Sequence, residues 1–341
     1  MNLLALIVLT AIKITLVLVV FLTAIAYTVL MERKVLGFIQ LRYGPNRVGP
    51  WGLLQPLADL LKLLFKEDFT PPHVNRVLFV LAPIITAVTA FLPFAVIPFA
   101  RQIFPDEFTF YGVTFDLTAA GLNQGVIADI NVGLLYVFAM GSLAVYGAVL
   151  GGWASNNKYS LLGGLRYAAQ MVSYELALGL SVIGVLMLAG SLSLVKIVEA
   201  QKDMWFIVYQ PLGFILFLTA ALAECARTPF DLIECENELV AGYQTEYSSM
   251  KWALFMLGEY CHIIVASALA VTLFFGGWQG PYLPPIIWFT LKTFILVFVF
   301  IWIRGTYPRF RFDQLMQLGW KVMLPLCLAN ILVTGAVMLL V

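Results

Sequence analysis

The residues of this chain with the capacity for chemistry are acids, and many stand where lipid should exclude them. Glu175, Glu224 and Glu259 fall within or at the end of long apolar stretches, and Asp129 falls at the start of another. Five more carboxylates, Asp231, Glu234, Glu236, Glu238 and Glu246, crowd into sixteen residues. An ionisable side chain at the centre of a membrane helix costs about 2.5 to 3.5 kcal/mol on insertion scales, so it faces a protein or water cavity and marks function. A carboxylate that is desolvated or crowded by like charges holds its proton more tightly, which brings exchange toward neutral pH. Ordered by depth, the acids form a candidate proton relay: the loop cluster first, then Glu224 and Glu259, then Glu175, with Asp129 beyond. The bland alternative for any one of them is a protonated acid hydrogen-bonded to a neighbour such as Tyr174 or Tyr260. His262, one turn beyond Glu259 and beside Cys261, reads as a satisfied bundle histidine, and His73 as a solvated or interface residue. Lys13 and Lys292 belong to the outer halves of their spans, where snorkelling accounts for them.

Composition says what surrounds these acids. Of 341 residues, 62% are apolar and 11% charged, with a mean hydropathy of +0.93, whereas a soluble domain carries about 25% charged residues. A soluble enzyme is excluded. The net charge of +1 argues against nucleic acid, which needs a basic patch to release counterions. The expected partners are lipid and other membrane subunits. Four dispersed cysteines (Cys225, Cys235, Cys261, Cys327) and two histidines, without a CxxC pair, do not make an iron–sulfur, haem or zinc site. Any redox cofactor therefore belongs to a partner.

The elements that position the acids are apolar helices. A span needs about 20 apolar residues, and such stretches fall near 3–31, 76–100, 125–153, 162–189, 207–226, 252–275, 285–304 and 321–341. The expected fold is all-α and polytopic, eight transmembrane helices in a single integral-membrane domain over 1–341. Fifteen of the twenty Lys and Arg residues lie in the odd-numbered connections, so those loops face the cytoplasm, or the matrix of a mitochondrion, and both the N- and C-termini lie outside. The first 31 residues lack a basic n-region and a cleavage site, and read as a retained first span. Within LLQPLADLLKLLFK the polar positions Gln55, Asp59, Lys62 and Lys66 recur at spacings of four, three and four, one stripe on an amphipathic helix over about 53–66. Such a helix is too short to span and is expected in the interface, either as a surface anchor or as a wall of a lipid-accessible cavity.

Two loops carry the remaining information. The first is rich in Gly, Pro and Arg without apolar periodicity, so it is ordered only by packing against something. The fifth is crowded with acids, and Arg33, Lys34, Arg42 and Arg47 of the first loop are the expected cationic surface that relieves its repulsion. The strings RYGPNRVGPWGLLQPLADLLKL, GWASNNKYSLLGGLRYAAQMVSYE, LAECARTPFDLIECENELVAGYQTEYSSMK and TYPRFRFDQLMQLGWKVMLPL closely resemble the family of membrane-arm H subunits of respiratory complex I, the NADH:quinone oxidoreductase, over essentially the whole chain.

The resemblance implies a subunit that anchors the peripheral redox arm and forms much of the lipid-side entry and channel for quinone, while FMN and the iron–sulfur clusters sit on partner subunits. It implies a channel lined by Glu32, Arg33 and Lys34 at the end of the first span, with Arg42 and Arg47 nearby, by Asp59 on the amphipathic helix, and by Arg227, Phe230 and Asp231 in the fifth loop. It further implies that Glu175, Glu224, Glu234, Glu236, Glu238 and Glu259 link this cavity to proton-pumping subunits. A long apolar quinone tail needs an apolar tunnel, and a headgroup that gains two electrons needs proton donors and fixed positive charge nearby. The expected location is the bacterial cytoplasmic membrane, or the mitochondrial inner membrane if the chain is organellar. Two rival readings share these features: the anchor subunit of a membrane-bound hydrogenase, and a stand-alone secondary transporter, against which the first four spans do not resemble the last four.

Overall fold

The computed structural model describes residues 3–102, 107–110, 113–116, 123–232 and 236–340. It is about 74% helical, because a backbone surrounded by lipid satisfies its N–H and C=O groups only within its own helix. Seven helices among the described residues are long and apolar enough to cross a membrane. The first is α1 (Leu3–Ile39), at about 1.5 Å per residue far longer than a hydrocarbon core of ~30 Å. It carries the charged residues of its last turns out of the apolar bundle. The amphipathic stretch forms α2 (Gln55–Phe65), followed by α3 (Arg76–Phe91), α4 (Gly133–Ala154) and α5 (Lys158–Ala189). Asn75 caps α3 through Leu78 N, and Asn157 caps α5 through Tyr159 N.

Two short pieces, α6 (Leu194–Ala200) and α7 (Phe206–Tyr209), precede α8 (Pro211–Glu224), and α9 (Glu236–Leu239) lies in the fifth loop. Then come α10 (Ser249–Phe274) and α11 (Pro285–Thr306). The last rod, Phe312–Leu340, joins α12 (Phe312–Gln317) to α13 (Leu324–Leu340) through a π-helical segment, Leu318–Met323. Four short strands interrupt the all-α pattern: β1 (Ala100–Gln102) pairs antiparallel with β4 (Gln124–Gly125), and β2 (Glu107–Phe110) with β3 (Val113–Asp116). The β1–β4 pair lies beside α11 and is tied to α1, where Lys13 donates to Gln124 O.

Several boundaries differ from the sequence expectation, among them the end of the second span, where α3 stops at Phe91 and not at 100, and the start of the last, at Phe312 and not at 321. The third span starts at Gly133 rather than 125, leaving Asp129 and Asn131 outside the helix. The first runs on to Ile39. The fifth, expected over 207–226, is a helix of 14 residues, about 21 Å long, which stops inside the bundle at Glu224. The chain beyond it runs as irregular backbone among the helices. Such backbone is tolerated at depth only where protein satisfies it, and here Gln170 Nε2 donates to Ala223 O (2.8 Å) and Phe230 O (3.1 Å), while Arg166 donates to Leu232 O (3.3 Å).

Lys13 and Lys292 do not snorkel. Both are buried, and their ammonium groups cap loop carbonyls: Lys13 donates to Gln124 O and Val126 O, and Lys292 to Phe275 O, Gly277 O and Gln279 O, with the Trp205 ring 4.4 Å from its Nζ. A cation that fills orphan carbonyls at a helix end also complements the helix dipole.

Packing rests on small residues that let helices approach closely. At the α3–α4 crossing a Cβ on Gly147 would strike Thr86 Oγ1 and Ala82 O, and a Cβ on Gly163 would strike the backbone of Gly242, where the fifth loop sits on α5. A second, aromatic cluster lies at the same end: Phe79 stacks on Tyr247 (4.0 Å), which meets Phe255 (4.9 Å) edge-on. Replacing Gly147 by Leu is expected to force α3 and α4 apart, at a cost of about 1–3 kcal/mol or more. The loss is read as a lowered melting temperature and reduced retention of the chain in membranes; unchanged values would refute the close-approach argument.

Candidate functional site

The truncation of α8 brings one buried arginine among the helices at one end of the bundle. Arg227, 5% exposed, places Nε 2.8 Å from Glu259 Oε1 and Nη1 3.6 Å from Glu32 Oε1. Glu32, also 5% exposed, is shared with Arg304 from the last turn of α11. The Arg227 guanidinium lies 4.5 Å from the ring centre of Tyr260, a cation–π contact. Four elements thus each deliver one charge: α1, the fifth loop, α10 and α11. Two guanidinium and two carboxylate groups in one cluster, buried except for the partly open Arg304, leave it formally neutral. Glu259 lies ten residues into α10, about 15 Å along the axis.

Beside this quartet, Asp231, 5% exposed, accepts from Arg309 Nη2 at 3.0 Å. Phe230 is 3% exposed and packed between Phe310 and Tyr174, with ring centres 5.6 and 5.8 Å away. Arg33 and Asp59 form a pair at 2.6 Å whose side chains are 48% and 30% exposed. Gln55 Nε2 orients the other oxygen of Asp59 at 2.8 Å, and Lys34 donates to Trp51 O. Arg42 is exposed and bonds Gln40, and Arg47 is exposed. Along α2 the leucines 57, 60, 61 and 64 are open, so its polar edge meets α1 while its apolar edge faces outward.

Among the described residues, the acids of the fifth loop are not met by cations of the first. Asp231 is met by Arg309, Glu238 by Arg166 from α5, and Glu246 by Asn157 Nδ2 at 2.8 Å. The first loop reaches the start of α10 with the opposite polarity, Asp68 to Lys251 Nζ at 3.1 Å, and Ser249 Oγ donates to Leu63 O and Lys66 O. Glu234 lies outside the described residues, and of Glu236 only the backbone is described.

Deeper in the bundle the acids lose their ion partners. Glu175 accepts from Ser142 on α4. Glu224 lies close enough to Glu175 for their charges to interact and lines two cavities of about 20 Å³ each, together with Cys225 and His262. Asp129 stands apart from these acids. It accepts from Ser193 Oγ at 3.1 Å and lines a polar cavity of about 250 Å³ at the opposite end of α4, with Glu199 and Arg101. Among the described residues no group of three or more His, Cys, Asp or Glu could hold a metal ion.

Arg304, Arg309, Arg166, Gln170 and Ser142 escape the sequence reading, which counts the first three only as loop cations. Arg304 and Glu32 are 272 positions apart, and nothing local in either segment announces the pairing.

Removing one partner of a buried ion pair is expected to cost about 3–5 kcal/mol, because the other charge stays buried. Glu32→Ala, which leaves Arg227 and Arg304 facing each other, should therefore strongly lower the thermal stability of the assembled protein. Arg33→Ala breaks an open pair and should cost under about 1 kcal/mol. Equal melting shifts for the two variants would contradict the assignment of the buried quartet.

Comparison with known proteins agrees with the whole-chain pattern. The family described as NADH dehydrogenase matches residues 12–335. An NADH-quinone oxidoreductase H subunit of Geobacter metallireducens is 56% identical over 328 residues, covering 96% of each chain. The corresponding H subunit of Syntrophotalea carbinolica is 55% identical over 329 residues, again 96% of each. That of Methylococcus capsulatus is 54% identical over 313 residues, 92% of each. The chain belongs to the NADH dehydrogenase family, alongside the H subunits of NADH-quinone oxidoreductase.

Proposed function

We propose that this chain, as a membrane-arm subunit of NADH:quinone oxidoreductase, forms the lipid-side entry and part of the channel for quinone, and passes the charge change of quinone reduction into proton movement along its buried acids. The observation that carries this reading is the neutral quartet Glu32–Arg227–Glu259–Arg304, which adjoins water-sized cavities leading past Glu224 toward Glu175. At short range in a poorly polarisable interior, a change of charge beside such a cluster is felt strongly by every member. The open Arg33–Asp59 pair and the outward leucines of α2 suit an entrance between interface and protein, with the apolar edge toward lipid tails. Glu32, Arg33, Lys34, Arg42, Arg47, Asp59, Arg227, Phe230 and Asp231 belong to the channel side. Glu175, Glu224, Glu234, Glu236, Glu238 and Glu259 belong to the relay, with Asp129 as its far member.

The chain crosses the membrane eight times in this reading, α7, α8 and the buried segment after Glu224 together making the fifth crossing. A half-length helix followed by irregular backbone is the form that intramembrane sites take elsewhere. The cation-rich loops then face the cytoplasm and both termini lie outside. The membrane is the bacterial cytoplasmic membrane. Partners are the other membrane-arm subunits and the peripheral-arm subunits at the quinone site, which hold the FMN and iron–sulfur clusters; quinone is the substrate.

Photo-crosslinking with an azido-quinone in native membranes tests the channel. Label is expected near Arg33, Asp59 or Phe230, competed by a quinone-site inhibitor, in a large flavin-containing assembly; absence of competed label in such an assembly would overturn the reading. For the relay, Glu175→Gln and Glu224→Gln should lower quinone-linked turnover and proton translocation on the order of a hundredfold or more, the scale of a lost proton-transfer group. Glu234→Gln, Glu236→Gln and Glu238→Gln should lower both as well. Wild-type turnover and stoichiometry in fully assembled variants would count decisively against it.

A further inference from the structure

Among the described residues no hydrogen bond joins Glu259 to Glu224, and the histidine that lines their shared cavity is not an acid. His262 follows Glu259 by three residues on α10, so the two side chains lie on one face of the helix. Glu259 spends Oε1 on Arg227. Its Oε2 is buried without a protein hydrogen-bond partner, and so is His262 Nε2. Both residues line the same cavity of about 20 Å³, and Glu224 lines it too. A cavity needs about 10–15 Å³ and two to four polar partners to hold a water, and this one meets both conditions. His262 and Glu224 also line the second cavity, which reaches Gly141, the neighbour of the Ser142 that donates to Glu175.

We infer that His262 is a positioning residue that holds a water between Glu259 and Glu224, closing the break in the relay. The inference rests on the relay reading above and adds to it a residue that is not itself an acid. Two buried acceptor or donor atoms left unpaired on one helix face cost free energy each, and one water accepting and donating between them removes both costs. The proton balance is simple. When a proton taken up by the Glu259 carboxylate passes on to the water oxygen, the water gives one of its own protons to the Glu224 carboxylate, and Glu259 is again the carboxylate that pairs with Arg227. The water is regenerated and the imidazole ends in the state in which it began.

The test uses the assembled complex in native membranes, with NADH oxidation by a soluble acceptor as the control for assembly. His262→Phe fills the cavity wall without a hydrogen-bonding group. It should lower quinone-linked turnover and proton translocation on the order of threefold to tenfold, the rate equivalent of one hydrogen bond, and raise the solvent deuterium isotope effect on turnover. His262→Gln, which can still hold a water, should restore both, a rescue that a purely structural role for the imidazole would not give. Glu224→Gln is measured beside them. If Glu224→Gln loses translocation while His262→Phe keeps wild-type rates and isotope effect, the water bridge is overturned and the relay stands. If both keep wild-type behaviour, the relay falls with it. Equal impairment of His262→Phe and His262→Gln would also overturn the positioning role.

Discussion

A guanidinium held between two carboxylates inside a helical bundle constrains everything around it. Arg227 would be intolerable there alone, since a buried charge without a partner costs several kcal/mol even after relaxation. It is tolerated because α1 and α10 each bring a glutamate and α11 brings a second arginine to balance the pair. The four groups come from segments that no local interaction joins, so their meeting fixes how these helices dock at one end of the bundle. Tyr260 covers the Arg227 face, and the aromatic pair Phe230–Phe310 seals the neighbouring side.

For Arg227 to reach this position, α8 has to stop short. Its end at Glu224 turns what would be helix into a loop that passes among helices, and that loop exposes carbonyls with no helical partner. Gln170 and Arg166, one turn apart on α5, satisfy two of them, Phe230 O and Leu232 O, and Gln170 also donates to Ala223 O at the end of α8. The Gly163–Gly242 approach seats the return of the loop on the same helix. The π-helical stretch Leu318–Met323 closes the far side of α5, where Trp320 Nε1 donates to Ser173 and Tyr174 donates to Leu315 O. Extra residues in a helical turn are a common accommodation near functional sites, and here they face the two residues that precede Glu175.

Much of the architecture is legible in the sequence because lipid solvation is a local property. The run 285–304 becomes α11 with a small shift at its end, 76–100 becomes α3 but the helix stops nine residues early at Phe91, and the polar stripe Gln55, Asp59, Lys62 announces α2. Asp129 and Asn131, two polar residues at the start of an apolar run, are the sign that the helix begins later. What is not legible is who meets whom. The reading that the first loop neutralises the fifth is reasonable from charge counts, yet Arg309 and Arg166 do so instead, because proximity is decided by helix docking and not by net charge. The buried lysines teach the same lesson. A lysine near a span end can reach water or cap a carbonyl, and only the position of the neighbouring loop chooses.

The acids divide by partner, and the division matters for the proposed mechanism. Glu32, Glu259, Asp231 and Glu238 face guanidinium groups, so protonating any of them leaves a cation short of its counter-charge. Glu175 and Glu224 face a hydroxyl and small cavities and, among the described residues, no guanidinium. The first set suits sensing of charge, and the second suits carriage of protons. Glu259 belongs to both, with one oxygen on Arg227 and the other turned toward the cavity it shares with His262. In the proposed mechanism a change in the balance around Arg227 reaches Glu224 and Glu175 through this single carboxylate, by way of the cavity that it shares with His262 and Glu224.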